Sequence, residues 1–228
     1  MQYLAENLRT IQSRIREAEK ANGLAENSVT LVGVSKTFGP DVINAAIDAG
    51  LEHIGENRIQ EFRDKSEAIK TDAKRHFIGH LQRNKVKYAV KLFDLIQSVD
   101  SIALAEEINA RCSKMNQQMP ILIEVNTSGE AQKMGCEPIG ALTLLKAIDR
   151  LPNLSVQGFM TIALYSDDAE KVRPCFKLLK ELYDEAQTFE LQYAAIQTLS
   201  MGMSGDFPIA IAEGANMVRI GSALFGQR

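Results

Sequence analysis

Lys36 ends a short apolar run at residues 30–35, Thr-Leu-Val-Gly-Val-Ser, and is followed by the turn Thr37, Phe38, Gly39, Pro40. A lysine at the end of a β-type run, with apolar neighbours that disfavour its ammonium form, is placed to attack a carbonyl and form a Schiff base. Position alone leaves it a solvated strand-end lysine, so a carbonyl ligand needs a second feature. Residues 199–206 supply one: Leu-Ser-Met-Gly-Met-Ser-Gly-Asp carries two glycines and the hydroxyls of Ser200 and Ser204 ahead of a helix-like stretch at 209–212. Free backbone N–H groups, hydroxyl donors and a helix start suit such a turn to a phosphate. Gly221 and Ser222, after the run 217–220, give a second set, and Arg219 within that run can grip a phosphate, pair with a carboxylate or donate to a ring nitrogen. Met201 and Met203 either fill core space or cover a flat ligand at the strand-to-loop junction.

Lys36 lies near one end of the chain and Arg219 near the other, so the elements between them must bring strand ends together. Strand-like runs fall at 30–35, 52–55, 76–79, 95–98, 121–125, 156–161, 197–201 and 217–220, with helical stretches between them at 42–49, 59–69 and 172–186 among others. About eight alternations fit a (β/α)8 barrel, with a doubly wound open sheet as the alternative. An extra amphipathic helix precedes them, with Leu4, Leu8, Ile11, Ile15 and Ala18 on one face, stopping near Gly23. In a barrel the residues after each strand form the active mouth, here Lys36, Asn57, His80, Gln82, Ser98, Asn126, Thr161, Ser200, Ser204, Arg219, Gly221 and Ser222. No linker or low-complexity stretch divides the chain, so residues 1–228 read as one domain.

Composition narrows the partners. With 26 Lys+Arg against 29 Asp+Glu, the net charge of −3 offers no broad attraction to nucleic acid or anionic lipid, so any anion site is local. The basic residues Arg83, Lys85, Lys87 and Lys91 lack interleaved aromatics and read as a solvated helix face. Cys112, Cys136 and Cys175 are odd in number, far apart and without zinc-ligand spacing to histidine, which suits reduced thiols in the cytoplasm. No apolar run approaches the roughly 20 residues of a membrane span, and residues 1–23 lack a signal-peptide pattern.

Taken in order, the segments VGVSKT around Lys36, GENRIQE at 55–61, HFIGHLQRNK at 76–85, GFMTI at 158–162, LSMGMSGD at 199–206 and VRIGSALFG at 218–226 resemble the pyridoxal phosphate homeostasis protein family, relatives of the N-terminal barrel of alanine racemase. The resemblance covers nearly the whole chain, with departures at Ile54, Arg75 and Leu164. It implies a barrel of the alanine racemase N-terminal type holding pyridoxal 5′-phosphate as a Schiff base on Lys36. Ser204, Gly221 and Ser222 would contact the phosphate, Arg219 would face the pyridine nitrogen, and Asn57, Ser200 and Met201 would line the cofactor. His80 and Gln82 belong to a signature loop of that family.

The function so implied is intracellular vitamin B6 and amino-acid homeostasis without robust catalysis, with pyridoxal phosphate-dependent apo-enzymes as partners and no nucleic acid or membrane. Arginine cannot accept a proton, so a ring nitrogen facing Arg219 stays unprotonated and the ring is a weak electron sink. Related racemases draw a second acid/base, a tyrosine, from an additional β-domain and a partner subunit, whereas this sequence ends at Arg228, which argues for a monomer with slow carbanion chemistry. The alternative is a pyridoxal phosphate-dependent amino-acid racemase or related enzyme. A third reading is a cofactor-free Schiff-base aldolase on Lys36.

Overall fold

The computed structural model describes residues 2–166 and 168–226; Arg228 lies outside them. Helix α1 (Gln2–Ala21) buries Leu4, Leu8, Ile11, Ile15 and Ala18, the face that the spacing predicts. Each of the larger side chains contributes about 1.5–3 kcal/mol on burial. The helix ends before Gly23, which adopts φ +67°. Its last turn also carries Glu19, only 1% exposed. The Glu19 carboxylate accepts from the backbone N–H groups of Asn27 (3.1 Å) and Val29 (2.8 Å) and from the Ser28 hydroxyl (3.3 Å), clamping the turn that feeds the first strand.

The strands are β1 (Thr30–Val34), β2 (His53–Glu56), β3 (Lys74–Phe77), β4 (Leu95–Val99), β5 (Met119–Glu124), β6 (Leu154–Met160), β7 (Thr198–Ser200) and β8 (Met217–Ile220). Neighbours in sequence pair in parallel, and β1 pairs with β8 so that Val32 stands opposite Arg219. The sheet therefore closes into a barrel, which excludes the open doubly wound alternative. Around it run α2 (Pro40–Asp48), α3 (Ile59–Lys65), α4 (Val86–Leu92), α5 (Ile102–Lys114), α6 (Pro138–Ile148), α7 (Arg173–Ala186), α8 (Phe207–Ala212) and α9 (Ser222–Phe225). Helix α1 packs against α2, α8 and α9, and the Asn7 side-chain amide donates to the Leu224 carbonyl at 2.9 Å.

Period-two alternation divides each strand. Ile54, Phe77, Ile96, Ile121, Ile123, Phe159, Leu199 and Val218 join the outer core beneath the helices. Val32, Leu95, Leu122, Met160 and Met217 form a separate, small cluster in the barrel interior. The same alternation turns His53, His76, Gln97, Ser200, Glu124 and Arg219 inward, so the barrel interior is part apolar and part polar.

Boundaries differ from the sequence reading where turn chemistry intervenes. The third strand covers residues 74–77 rather than 76–79, because Gly79 already packs against the loop after β2: a Cβ there would lie 2.2 Å from the Asn57 carbonyl oxygen. The expected helix at 59–69 ends at Lys65 and tightens into a 3-10 turn, Ser66–Ala68. The last long helix starts at Arg173, one residue beyond the expected Val172, with Pro174 in its first turn. Strand β6 starts at Leu154 and carries an irregularity: Ile121 pairs with Val156 but Leu122 pairs with Gly158. The Arg75 guanidinium lies 5.7 Å over the Phe62 ring.

Candidate cofactor site

Strand β1 ends at Val34, one residue short of the expected Ser35, so Lys36 sits in the turn, separated from the strand by Ser35, and is half-buried. The next residue, Thr37, holds φ +70°, a left-handed conformation that a β-branched side chain adopts only when the surroundings impose it. Those surroundings are specific. The Thr37 N–H donates to the Glu61 carboxylate, and the Lys65 ammonium donates to the carbonyls of Ser35 (3.3 Å) and Phe38 (3.0 Å) and to Glu61 (3.1 Å). The Glu56 carboxylate, fully buried, accepts from the Ser35 hydroxyl at 2.6 Å and pairs with Lys65 at 2.9 Å. Burial pushes the Glu56 carboxyl above the ordinary carboxylate range, against Lys65 and Ser35; Glu61 is less buried, and Thr37 and Lys65 overcome its burial and hold it below that range. Lys36 thus projects from a loop pinned on both sides by backbone bonds.

A cavity of about 600 Å³ opens at this end of the barrel, lined by Val34, Lys36, Phe38, Tyr165, Met203, Ser204, Gly205, Arg219, Gly221, Ser222 and Gly226. Five of the eight residues singled out from the sequence, Lys36, Ser204, Arg219, Gly221 and Ser222, share it. The other three lie elsewhere. Asn57 lines a second cavity with Arg58, His80, Gln82 and Lys85, and its Oδ1 is buried with no hydrogen-bond partner among the described residues. Ser200 is fully buried, where its Oγ accepts from Arg219 at 2.7 Å, and Met201 is fully buried in the outer core. Met203, by contrast, lines the first cavity and is 37% exposed. Asn126 supports local structure, its side-chain amide donating to the Glu130 carbonyl at 2.9 Å, whereas the Ser98 hydroxyl is buried with no hydrogen-bond partner among the described residues.

The phosphate-type turn needs its first glycine. Gly202 has φ +94°, and a Cβ there would lie 2.6 Å from that of Ala210. With Gly202 in place the turn doubles back, its carbonyl accepts from the Arg219 N–H at 3.0 Å, and Ser204 faces the cavity. Ser222 opens α9 after Gly221 and brings a second hydroxyl to the same space. Among the described residues the lining offers an amine, a guanidinium and two hydroxyl-bearing turns, and no carboxylate, which suits an anionic carbonyl compound with a flat ring.

Arg219 is 3% exposed; its Nη1 donates to Ser200 Oγ and its Nη2 to the Thr161 carbonyl, each at 2.7 Å. Burial pushes its guanidinium down to about 10, while Glu124 and Asp206 pull the other way. The sequence reading passed over Glu124, which ends β5 and is 5% exposed. Burial first and Asp100 second push its carboxyl up to about 7, against the pull of Arg219. His76 moves oppositely: burial, with smaller contributions from His53 and Lys74, pushes it down to about 3.

These two shifts give a pH signature with opposed signs. Between about pH 3 and His76's ordinary value of 6.5 the unfolded chain binds a proton that the folded chain refuses, so stability rises with pH by up to ~1.4 kcal/mol per unit. Between Glu124's ordinary 4.5 and about 7 the folded chain keeps a proton that the unfolded chain releases, so stability falls as pH rises at a similar slope. In the overlap, 4.5 to 6.5, they offset one another. Denaturant unfolding across this range is expected to show stability rising more steeply with pH in Glu124→Gln than in the unsubstituted protein, and falling relative to it in His76→Asn; parallel curves for all three would contradict both assignments.

Residues 2–228 match the sequence profile of the alanine racemase N-terminal domain. A curated relative from Aquifex aeolicus, a pyridoxal phosphate homeostasis protein, is 48% identical over 225 residues, covering 98% of this chain and 97% of its own. The chain belongs to the pyridoxal phosphate homeostasis protein family. The Escherichia coli K12 member of the family is 35% identical over 232 residues, covering 100% of this chain and 98% of that one. Among solved structures, PipY of Synechococcus elongatus with pyridoxal phosphate bound superposes with a TM-score of 0.84 at 32% identity, covering 98% of this chain and 100% of that one. The barrel also matches a Clostridium difficile alanine racemase with a TM-score of 0.72 at 18% identity, over 98% of this chain and 57% of the racemase, a likeness of fold.

The residues missed by sequence reasoning form the brace, Glu56, Glu61 and Lys65, and the interior polar pair, Gln97 and Glu124. Glu61 and Lys65 stand at helical i,i+4 spacing, a signal available in the sequence but ordinary on any helix surface. Gln97 and Glu124 were hidden by strand register, which decides whether a polar residue faces the interior.

Proposed function

We propose that the protein holds pyridoxal 5′-phosphate as a Schiff base on Lys36 and serves intracellular vitamin B6 and amino-acid balance as a carrier without robust turnover. The observation that carries this reading is the single cavity that gathers Lys36 from one end of the sequence with Ser204, Arg219, Gly221 and Ser222 from the other. PipY, with pyridoxal phosphate bound at 32% identity and full-length coverage, supports the same ligand. When bound, the cofactor supplies an aldehyde and an electron-withdrawing ring. The chain's residues do the rest. Lys36 supplies the amine, the turns at Ser204 and at Gly221 and Ser222 supply N–H and O–H donors to the phosphate, and Arg219 donates to the ring nitrogen while taking no proton itself. Candidate recipients are pyridoxal phosphate-dependent apo-enzymes, with the carrier a cytoplasmic monomer. Among the described residues no helix is long and apolar enough to cross a membrane.

Arg219→Glu tests the ring contact. A carboxyl in that position shares a proton with the ring nitrogen, strengthens the electron sink and is expected to raise adventitious transamination of a supplied amino acid about tenfold, the rate equivalent of ~1.4 kcal/mol. The check is pyridoxamine phosphate formation in the variant fraction that retains cofactor; an unchanged rate there counts against the contact.

One observation favours a second reading, an amino-acid racemase or related pyridoxal phosphate enzyme. Glu124, pushed up to about 7 beside Arg219, is a proton carrier suited to neutral pH. Solvent-deuterium exchange at Cα across a panel of amino acids, with Lys36→Ala as control, separates the two: exchange confined to background rates supports the carrier.

A further inference from the structure

A file of polar side chains crosses the barrel interior from one end to the other. His53 Nδ1 lies 2.9 Å from His76 Nε2, His76 Nδ1 lies 2.8 Å from Gln97 Nε2, Ser200 Oγ donates to Gln97 Oε1 at 2.7 Å, and Arg219 Nη1 donates to Ser200 Oγ at 2.7 Å. His76 and Arg219 are 3% exposed, and Gln97 and Ser200 are fully buried. At one end Arg219 lines the cofactor cavity; at the other His53 lines a smaller cavity between α1 and the starts of β1 and β2. Nothing in the carrier role described above uses Gln97, His76 or His53.

The chemistry allows only one direction of donation. A guanidinium has donors and no acceptor, so Ser200 Oγ must accept from Arg219 and spend its own proton on Gln97 Oε1. That fixes the Gln97 amide with Nε2 toward His76, and the second N–H of the same amide meets Met217 Sδ at 3.2 Å. His76 Nδ1 then accepts, which leaves the proton on Nε2 to be donated to His53 Nδ1. The neutral imidazole this requires agrees with the downward push that burial exerts on His76. Turning the Gln97 amide over sets its Nε2 against the Ser200 oxygen and leaves the buried Ser200 hydroxyl proton without its acceptor, which costs about 1–3 kcal/mol.

We propose that Gln97 and His76 are positioning residues for Arg219: through Ser200 they set the orientation in which the guanidinium presents its remaining N–H groups to the ring nitrogen of the bound cofactor. Arginine carries five such groups, and among the described residues two are taken, by Ser200 and by the Thr161 carbonyl. The orientation of the other three follows from these two anchors. Thr161 O is backbone and held by the barrel, whereas Ser200 Oγ rotates and stays in place only while Gln97 offers it an acceptor. Gln97 in turn keeps its oxygen toward Ser200 only while His76 accepts from its nitrogen. The part of this inference that concerns the ring rests on the function proposed above; the direction of the file does not.

Two measurements separate the parts. In the cofactor-free protein, two-bond proton–nitrogen correlation spectra of the three histidines, assigned by single His→Gln variants, are expected to show His76 as the neutral Nε2–H tautomer from pH 5 to 8. An Nδ1–H tautomer or an imidazolium in that range overturns the file whatever the cofactor does. In protein loaded with pyridoxal phosphate, His76→Phe and Gln97→Leu are expected to move the pH midpoint of the bound chromophore's visible band by about one unit, the size that one altered charge-assisted contact produces. His76→Asn, whose Oδ1 still accepts from Gln97, is expected to restore the midpoint. All three keep Lys36, so hydride fixation still yields the mass adduct. A midpoint equal to that of the unsubstituted protein in either disrupting variant, or a shift that His76→Asn shares, overturns the positioning role. If the unsubstituted protein forms no adduct at Lys36, the proposed function fails and the nitrogen spectra still decide the file.

Discussion

Lys36→Ala is expected to abolish the covalent adduct and weaken pyridoxal phosphate binding by roughly a hundredfold, ~2.7 kcal/mol, while leaving the barrel intact. The affinity falls rather than vanishes because the turns at Ser204 and at Gly221 and Ser222 do not involve the lysine side chain. The fold survives because what holds the loop is backbone and brace: Lys65 bonds the carbonyls of Ser35 and Phe38, and Glu61 accepts from the Thr37 N–H. None of these bonds uses the Lys36 side chain. Spectrophotometric titration with the cofactor measures the first effect, and a circular-dichroism melt measures the second. A variant that still acquires a hydride-stable adduct with undiminished affinity would place the amine elsewhere.

Gly158→Ala is expected to be among the most destabilising single substitutions in the chain, ~4 kcal/mol or more. Gly158 lies at φ +146°, outside the range of an L side chain, and a Cβ there would sit 1.8 Å from the Thr198 carbonyl oxygen. Gly158 and Thr198 are paired partners in the β6–β7 ladder, so relieving the clash means parting the two strands. A barrel opened at one seam loses its closure, and Ser200, which supports Arg219, lies on the parted strand. Gly140→Ala makes the contrast. Gly140 lies within α6 with nothing within 4 Å of an added Cβ, so alanine should stabilise by ~0.5–1 kcal/mol through helix propensity. Paired denaturant curves give both signs; equal effects at the two positions would refute the steric account.

The barrel was legible because its signal is redundant. Alternating runs, the stripe Leu4, Leu8, Ile11, Ile15 and Ala18 on α1, and polar residues after successive strands each point to the same architecture, and errors at individual boundaries leave the order unchanged. The cavity was legible to the extent that its groups sit in turns, where residue type and backbone need coincide, as at Gly202, Ser204, Gly221 and Ser222. The interior was not. Whether Gln97 or Glu124 faces the helices or the axis depends on a strand register of period two, and a shift of one residue reverses it. The bulge between β5 and β6 introduces such a shift. Glu19, Glu56 and Lys65 escaped notice for a related reason: charged residues are normally exposed, and only the fold reveals their partners, the Val29 N–H for Glu19, the Ser35 hydroxyl and Lys65 for Glu56, and the Phe38 carbonyl for Lys65.

The central claim is an imine between the Lys36 amine and pyridoxal phosphate in the protein as the cell makes it. Borohydride reduction of freshly purified protein, followed by proteolysis and mass mapping, tests it in one step. The expected result is a reduced phosphopyridoxyl group on the peptide that contains Lys36, present without added cofactor. Protein that carries no such mass, or that carries it on another lysine, contradicts the account.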